Sequence, residues 1–505
     1  MNIFFSNSKI GFHEFDNNVK KLATVLRSKG LQTGGVVAIL LRNDVRQFEI
    51  IEACRYLEIS FVPLNWHATG SEIQHILTDS GASVLIAHAD LAIAAINKLT
   101  DRVCILVYPT PENIIASYNI KKQDNAVLES RSENMTSLLK NANPITTGIK
   151  PFRGIFSYTS GSTGRPKGIR RQVVQSQSDP YSVYEQLART LLKLEKGDRF
   201  YVSAPIYHSA PNALSLCCIA ARDVDMYIEP KFEAERFLAH IEQFKITHTY
   251  IVPTMMIRLL KLPKEVKEKY NISSLKFGIS SGSAWPSDIK QAMVDWFGPI
   301  FYESYGASEI GFMTLISSEE AIKKPGSVGK ILAGGSIKIL DDDKNELAVG
   351  ESGSIYIKLP MFGDFAYTNS AENEIDDRYE GHTTVGDIGY VDAQGYLYIN
   401  DRKKDMIISG GANIFPAEIE AAMIEMPQIL DCAIFGIADK EFGEKVVAAV
   451  TCQVGHSLSL QQVHAFLDGK ISRFKYPRQL DIHDSLPRED SGKVFKQRLK
   501  VAYAN

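Results

Sequence analysis

No stretch of about 18 consecutive apolar residues occurs, so nothing predicts a membrane-spanning helix. The opening MNIFFSNSKI lacks a basic stretch ahead of an apolar one, which predicts no secretory leader. Neither sign of charge dominates: 56 Lys and Arg face 59 Asp and Glu, a formal net charge of −3. That balance gives no general attraction to nucleic acid or an anionic membrane. The six cysteines (Cys54, Cys104, Cys217, Cys218, Cys432 and Cys452) show no CxxC and no Cys/His ligand spacing. No Cys/His metal-ligand pattern is offered and a disulfide scaffold is excluded by composition, so small buried hydrophobes in a reducing compartment are expected. What is present is ordinary: 505 residues, 45% hydrophobic and 23% charged. Such a chain has enough apolar material for roughly three folding units and reads as a cytoplasmic enzyme.

Helix and strand alternate through the first hundred residues. Phe15, Val19, Leu22 and Leu26 recur at helical spacing, and Gly30 stands where that helix should end. Residues 36–41 and 83–89 read as buried strands, with an apolar helix around 50–56 between them. This alternation predicts an α/β protein whose parallel sheets are covered on both faces. Residues 109–144 turn polar and are expected to form a surface excursion rather than a hinge. Towards the end, a helix is expected after Pro416, a strand over 445–454 and a further helix in LQQVHAFLDGKIS. The division expected is 1–403 for the large body and 404–505 for a small α+β domain.

The most informative stretch is YTSGSTGRPKG, residues 158–168, led in by the apolar GIFS. Thr159, Ser160, Gly161, Ser162, Thr163 and Gly164 offer hydroxyls and exposed N–H groups that can wrap phosphate oxygens. Arg165 and Lys167 add positive charge. The spacing GxxxxGK[ST] of a Walker loop is not met. Three more motifs follow in order: YESYGASEIG (302–311), TVGDIGYVDAQGYLYINDRKKDMIISGGANIFPAEIE (384–420) and LPREDSGKVFKQRL (486–499).

These four stretches together resemble the adenylate-forming superfamily of acyl-CoA synthetases, adenylation domains and luciferases. The resemblance covers nearly the whole chain. It implies a large N-terminal domain of α/β sheet subdomains plus a distorted β-barrel, followed by a small mobile α+β domain. Two departures are read: the sequence starts close to its first predicted helix, so a shorter N-terminal extension than the family's is expected, and Asp401 stands where many members have glycine.

The resemblance also implies roles. Lys493 bridges the substrate carboxylate and the adenylate phosphate, and Lys167 serves the phosphate loop. Glu309 holds Mg²⁺, and Ser308 contacts the α-phosphate. Tyr305, beside Gly306, stacks on adenine, with Gly282, Ser283 and Ala284 closing the other face. Asp387 accepts from the ribose hydroxyls, with Arg402 on the same nucleotide. His208 stands at the mouth between the acid and thiol paths, and Lys404 is the hinge. Ser409, Gly410 and Gly411 line the pantetheine path, and Phe474 and Arg478 hold the CoA nucleotide.

The chemistry agrees with these residue types. A carboxylate is a poor electrophile because its leaving group would be oxide. Attack on the α-phosphorus of ATP converts it to an acyl-adenylate, from which a thiol displaces AMP. The first step brings two anions together, so preorganised positive charge and donors are required. The expected activity is an acid:CoA ligase using ATP, Mg²⁺ and coenzyme A, with a homodimer possible. The rival is a stand-alone adenylation enzyme that loads a carrier-protein thiol. The acid stays open among fatty, aryl and polycyclic classes, around a pocket of Tyr207, His208, Ser280, Ser281 and Tyr302. Arg170 and Arg171 are either solvated surface, the favoured reading, or a contact to acid or CoA.

Overall fold

The computed structural model describes residues 1–5, 8–121, 126–159, 167–171, 181–283, 285–362, 365–368, 378–410, 412–453, 455–488, 494–501 and 503. The first helix, Phe12–Ser28, buries Phe15, Val19, Leu22, Ala23, Val25 and Leu26, so its 3.6-residue stripe faces the core. Gly30 follows at φ +83°, a left-handed conformation that costs glycine little. The strand Val36–Leu40 is buried throughout, as an interior strand covered on both faces must be. It lies between Ser60–Pro63 and Val84–His88, and Cys104–Tyr108 and Glu133–Asn134 continue the sheet, every pair parallel. The helix Val45–Leu57 begins at Asp44, whose side chain accepts from the Arg46 N–H.

A second parallel sheet runs through Asn2–Phe5, Asp225–Ile228, Arg199–Val202, His248–Tyr250, Phe277–Ser280 and Phe301–Glu303. Antiparallel strands bond onto its far side: Thr314–Ser317, Ser327–Ile331, Leu397–Arg402, Asp387–Val391 and Gly353–Lys358. These strands are the antiparallel part of the large domain. They carry a core of their own, with Ile169, Ile310, Met313, Ile339, Ile355 and Leu397 buried together.

From Ile407 onward the strands Ile407–Ser409, Ala412–Ile414, Ile429–Asp439, Gly443–Cys452 and Gln479–Ile482 make a separate sheet. Helices Pro416–Met423 and Leu460–Leu467 cover it, burying Ile419, Met423, Val463 and Leu467. The polar segment 109–144 includes the helices Glu112–Tyr118 and Met135–Asn141, and Glu133–Asn134 adds a short edge strand.

Asp401 does work that a glycine there would leave undone. Its Oδ2 accepts from the Ala417 N–H at 2.9 Å, in the first turn of Pro416–Met423, and its Oδ1 accepts from the Arg402 N–H at 2.7 Å. Phe415 caps that helix without a side-chain bond of its own. Burial pushes the Asp401 carboxyl up, against the pull of the Ala417 N–H and the Lys496 charge. Removing a cap of this kind costs about 0.5–2 kcal/mol. Asp401→Ala is therefore expected to raise hydrogen exchange at the Ala417 amide about tenfold, measured residue by residue. Unchanged exchange would mean that the cap contributes nothing.

Candidate active site

The candidate site is assembled by strand pairing. Thr159 pairs with Lys167 and Phe156 with Arg170, so the strands Phe156–Thr159 and Lys167–Arg171 form an antiparallel pair. The strand Phe365–Tyr367 flanks this pair, setting Tyr367 opposite Ile169 and Phe365 opposite Arg171. Asp79 braces the pair from a distant helix, accepting from the Tyr158 hydroxyl at 2.7 Å and from the Thr368 hydroxyl at 2.5 Å. The Gly168 N–H donates to the Thr368 hydroxyl at 3.2 Å.

Glu309 follows in the turn between Gly306–Ala307 and Gly311–Phe312, which pair antiparallel. Its Oε1 accepts from the Tyr367 hydroxyl at 3.3 Å, and the Lys167 ammonium stands 5.6 Å from the centre of the Tyr367 ring. The Ser308 hydroxyl is 2.9 Å from that of Ser209, at the start of the helix Ser209–Ala221 and next to His208. This turn leaves no space at Gly306, where an added Cβ would lie 2.5 Å from the Gly311 carbonyl oxygen. Gly306→Ala is expected to destabilise the protein by about 1–3 kcal/mol. A denaturant midpoint at the unsubstituted value would contradict that packing.

In the antiparallel part of the large sheet, Asp387 pairs with Arg402 across the ladder. The Asp387 carboxylate accepts a short hydrogen bond from the Tyr305 hydroxyl and meets the Arg402 Nε at 3.2 Å. Burial and then the Asp387 charge push the Tyr305 hydroxyl well above its ordinary pKa, with Glu309 adding a smaller push. Tyr305, Asp387, Arg402 and Glu309 thus share one electrostatic neighbourhood. Gly282 takes φ +92° in the turn after Phe277–Ser280, beside Ser283. Tyr250 donates its hydroxyl to the Ser281 carbonyl at 3.2 Å and so fixes the entry to that turn.

His208 is half-buried, its ring 4.2 Å from that of Tyr207, which meets Trp66 edge-on at 4.7 Å. Tyr302 stacks on Phe277 and takes the Lys193 ammonium on its hydroxyl at 2.6 Å. Lys404 is exposed in a turn where the Asp405 and Met406 N–H groups both donate to the Arg402 carbonyl. Ser409 is buried, and the Gly410 N–H donates to the Phe442 carbonyl at 2.8 Å. The Arg478 guanidinium stacks on the Phe442 ring at 3.6 Å, while Phe474 remains 53% exposed. The Thr159 side chain, Ser160, Gly161, Ser162, Thr163, Gly164, Ala284, Gly411 and Lys493 lie outside the described residues.

One expectation is overturned. Arg170 is exposed, but its neighbour Arg171 turns inward and donates from Nη2 to the Ser308 carbonyl at 3.1 Å. Strand alternation is the reason: Lys167, Ile169 and Arg171 share the face that packs on the 305–310 segment. Tyr367, Thr368, Asp79 and Ser209 lie outside every motif of the sequence, which gives no signal for them.

The family model of AMP-binding enzymes matches residues 2–363, and that of the AMP-binding enzyme C-terminal domain matches residues 418–493. The chain belongs to the AMP-binding enzymes. It is 30% identical to an indoleacetate–CoA ligase of Aromatoleum aromaticum, over 99% of this chain and 95% of the relative. It is 28% identical to a long-chain-fatty-acid–CoA ligase of Bacillus subtilis, over 98% and 90% of the two chains. Among solved structures, ATP-bound MatB from Rhodopseudomonas palustris superposes with a TM-score of 0.84 at 26% identity, covering 100% of this AMP-binding enzyme and 95% of MatB. The fold is also that of an o-succinylbenzoate CoA synthetase from Bacillus subtilis in complex with its acyl-adenylate, with a TM-score of 0.80 at 24% identity over 99% and 94% of the chains.

Proposed function

We propose that the protein is an ATP-dependent acid:CoA ligase that makes an acyl-adenylate and then an acyl-CoA. The observation that carries this reading is the Asp387 carboxylate, held between the Tyr305 hydroxyl and Arg402 in the neighbourhood of Glu309. A fixed carboxylate there suits ribose hydroxyls, and a second carboxylate nearby suits a phosphate-bound cation. The names of the relatives point to apolar acids, aryl or fatty, as the substrate class.

The donor set fits magnesium carried with a nucleotide rather than a resident metal. Among the described residues no group of three or more His, Cys, Asp or Glu could hold an ion unaided. Mg²⁺ is characteristically held by one or two carboxylates and completed by substrate phosphates and water, and Glu309 supplies such a carboxylate. When bound, the ion would neutralise phosphate oxygens at the transferring group. In our reading Lys167 and Lys493 add fixed positive charge, and Ser308 donates to the α-phosphate. Asp387 and Arg402 orient the nucleoside, and Gly282 and Ser283 flank adenine opposite Tyr305. His208 borders the mouth, and Ser409 and Gly410 border the path of the thiol. Phe474 and Arg478 take the outer part of CoA. We place the boundary of the mobile C-terminal domain at 403/404. Six cysteines without a disulfide suit a cytoplasmic setting, and among the described residues no helix is long and apolar enough to cross a membrane.

Pyrophosphate release across a panel of aryl and fatty acids, with and without CoA, tests the reading. Release with some acid, and acyl-CoA formation when CoA is added, is the expected result. Acyl transfer to a holo-carrier protein but not to CoA would favour the rival adenylation enzyme. Glu309→Gln is expected to lower adenylation about tenfold or more, with partial recovery as Mg²⁺ is raised. A defect insensitive to Mg²⁺ would remove Glu309 as a ligand.

A further inference from the structure

Arg171 is the cation that no motif assigns. It shares a strand face with Lys167, two positions beyond Ile169, which is 1% exposed and packs with Ile310 and Met313. That packing leaves Arg171 little choice of direction, and its guanidinium reaches the main chain of Ser308 at 3.1 Å. Burial draws the Arg171 pKa below its ordinary value, while the charges of Tyr184 and Glu309 pull it back. The carbonyl that Arg171 holds belongs to the peptide that joins Ser308 to Glu309, so the guanidinium stands beside the Glu309 residue. Tyr367 approaches the same carboxylate through its hydroxyl at 3.3 Å, and Ser209 meets the Ser308 hydroxyl at 2.9 Å. Three elements thus converge on a two-residue turn, and of these three contacts the one from Arg171 carries a full charge.

We propose that Arg171 is a positioning residue for adenylation: it fixes the Ser308 peptide and partly offsets the Glu309 charge, setting how strongly that carboxylate attracts a magnesium nucleotide. The inference rests on the adenylation reading of the site. Its sign follows from Coulomb's law. Arg171 and Mg²⁺ carry like charge, so neutralising Arg171 strengthens the attraction of Glu309 for the metal. The same change loosens the turn, so catalysis falls while metal attraction rises. A residue that merely fills space cannot move the two in opposite directions.

The test uses Arg171→Gln, which keeps a donor without the charge, and Arg171→Lys, which keeps the charge without the planar fork. The first readout is the Mg²⁺ concentration giving half of the ATP-induced rise in unfolding temperature, which needs no turnover. It is expected to fall about threefold or more in Arg171→Gln and to stay unchanged in Arg171→Lys. In the Glu309→Gln background the shift should vanish, as a coupling between the two residues requires. The second readout is pyrophosphate release, expected to drop about tenfold in Arg171→Gln, with thioester formation from supplied acyl-adenylate within about twofold of the unsubstituted rate. An unmoved Mg²⁺ midpoint, a shift that persists without Glu309, or equal losses in both half-reactions would overturn the proposal. Should Arg171→Gln not fold, Arg171→Met carries the same expectation. If no acid releases pyrophosphate but the Mg²⁺ midpoint shifts as stated, the adenylation reading fails and the role of Arg171 in adenylation fails with it, while its coupling to Glu309 stands as a separate result.

Discussion

Replacing Lys493 by alanine is expected to slow acyl-adenylate formation about a hundredfold or more, which corresponds to about 3 kcal/mol of lost transition-state stabilisation. Thioester formation from supplied acyl-adenylate is expected to change far less. The asymmetry follows from charge. Adenylation brings a carboxylate against a polyanionic phosphate, so a missing ammonium is felt most in that step. In thiolysis the acyl and phosphoryl groups are already joined, and AMP leaves as an anion with little crowding. On either side of residues 489–493, Arg488 and Val494 bridge antiparallel, and the Phe495 N–H donates to the Pro487 carbonyl at 2.8 Å. Lys496 anchors the far side on Glu420 at 2.8 Å. Burial works against the Lys496 ammonium, but Glu420 and the nearby Asp401 and Asp405 raise its pKa overall. Lys496 is thus held by structural carboxylates, and Lys496→Ala should disturb stability before it disturbs chemistry. Single-turnover rates of the two half-reactions decide the matter. Equal losses in both for Lys493→Ala would contradict its role.

The motif residues were legible because each phosphate-handling role concentrates unusual residue types in a short stretch, as in YTSGSTGRPKG and YESYGASEIG. The elements were legible where burial is one-sided or complete, as in Phe12–Ser28 and Val36–Leu40. The braces of the site were not. Asp79 reaches Tyr158 and Thr368 across sequence separations of 79 and 289 residues, and no local pattern records such a meeting. Arg171 shows the limit more sharply. A period of two says that Arg170 and Arg171 face opposite ways, but which of them faces inward depends on the packing of Ile169. The polarity of residues 109–144 marked a surface excursion, yet concealed three helices and an edge strand among the described residues. Short amphipathic pieces such as Met135–Asn141 bury a single side chain, Met135, and leave almost no periodic signal.

Lys404→Pro is expected to separate the half-reactions even more completely. One enzyme must bring Lys493 over the phosphate, then withdraw it and present a thiol path to the same carbonyl. Two bulky constellations cannot occupy one mouth together, so rotation of the C-terminal domain is the simplest solution. The residues around Lys404 suit a pivot. Lys404 is exposed, and the Asp405 and Met406 N–H groups close a tight turn on the Arg402 carbonyl. Backbone torsions can change there without opening a core. Before the turn, Arg402 holds Asp387, while Asp401 reaches across the turn to the Ala417 N–H, a bond that a rotation at Lys404 must exchange. Proline fixes φ near −65° and restricts the residue before it, so one of two backbone states is lost. The state that survives keeps its half-reaction within about threefold, and the other half-reaction falls about a hundredfold or more, with thioester formation the expected casualty. The measurement is the single-turnover rate of each step on protein matched for unfolding temperature. Unmodified rates in both steps would remove Lys404 as the pivot, and equal losses in both would point to damage in the fold instead.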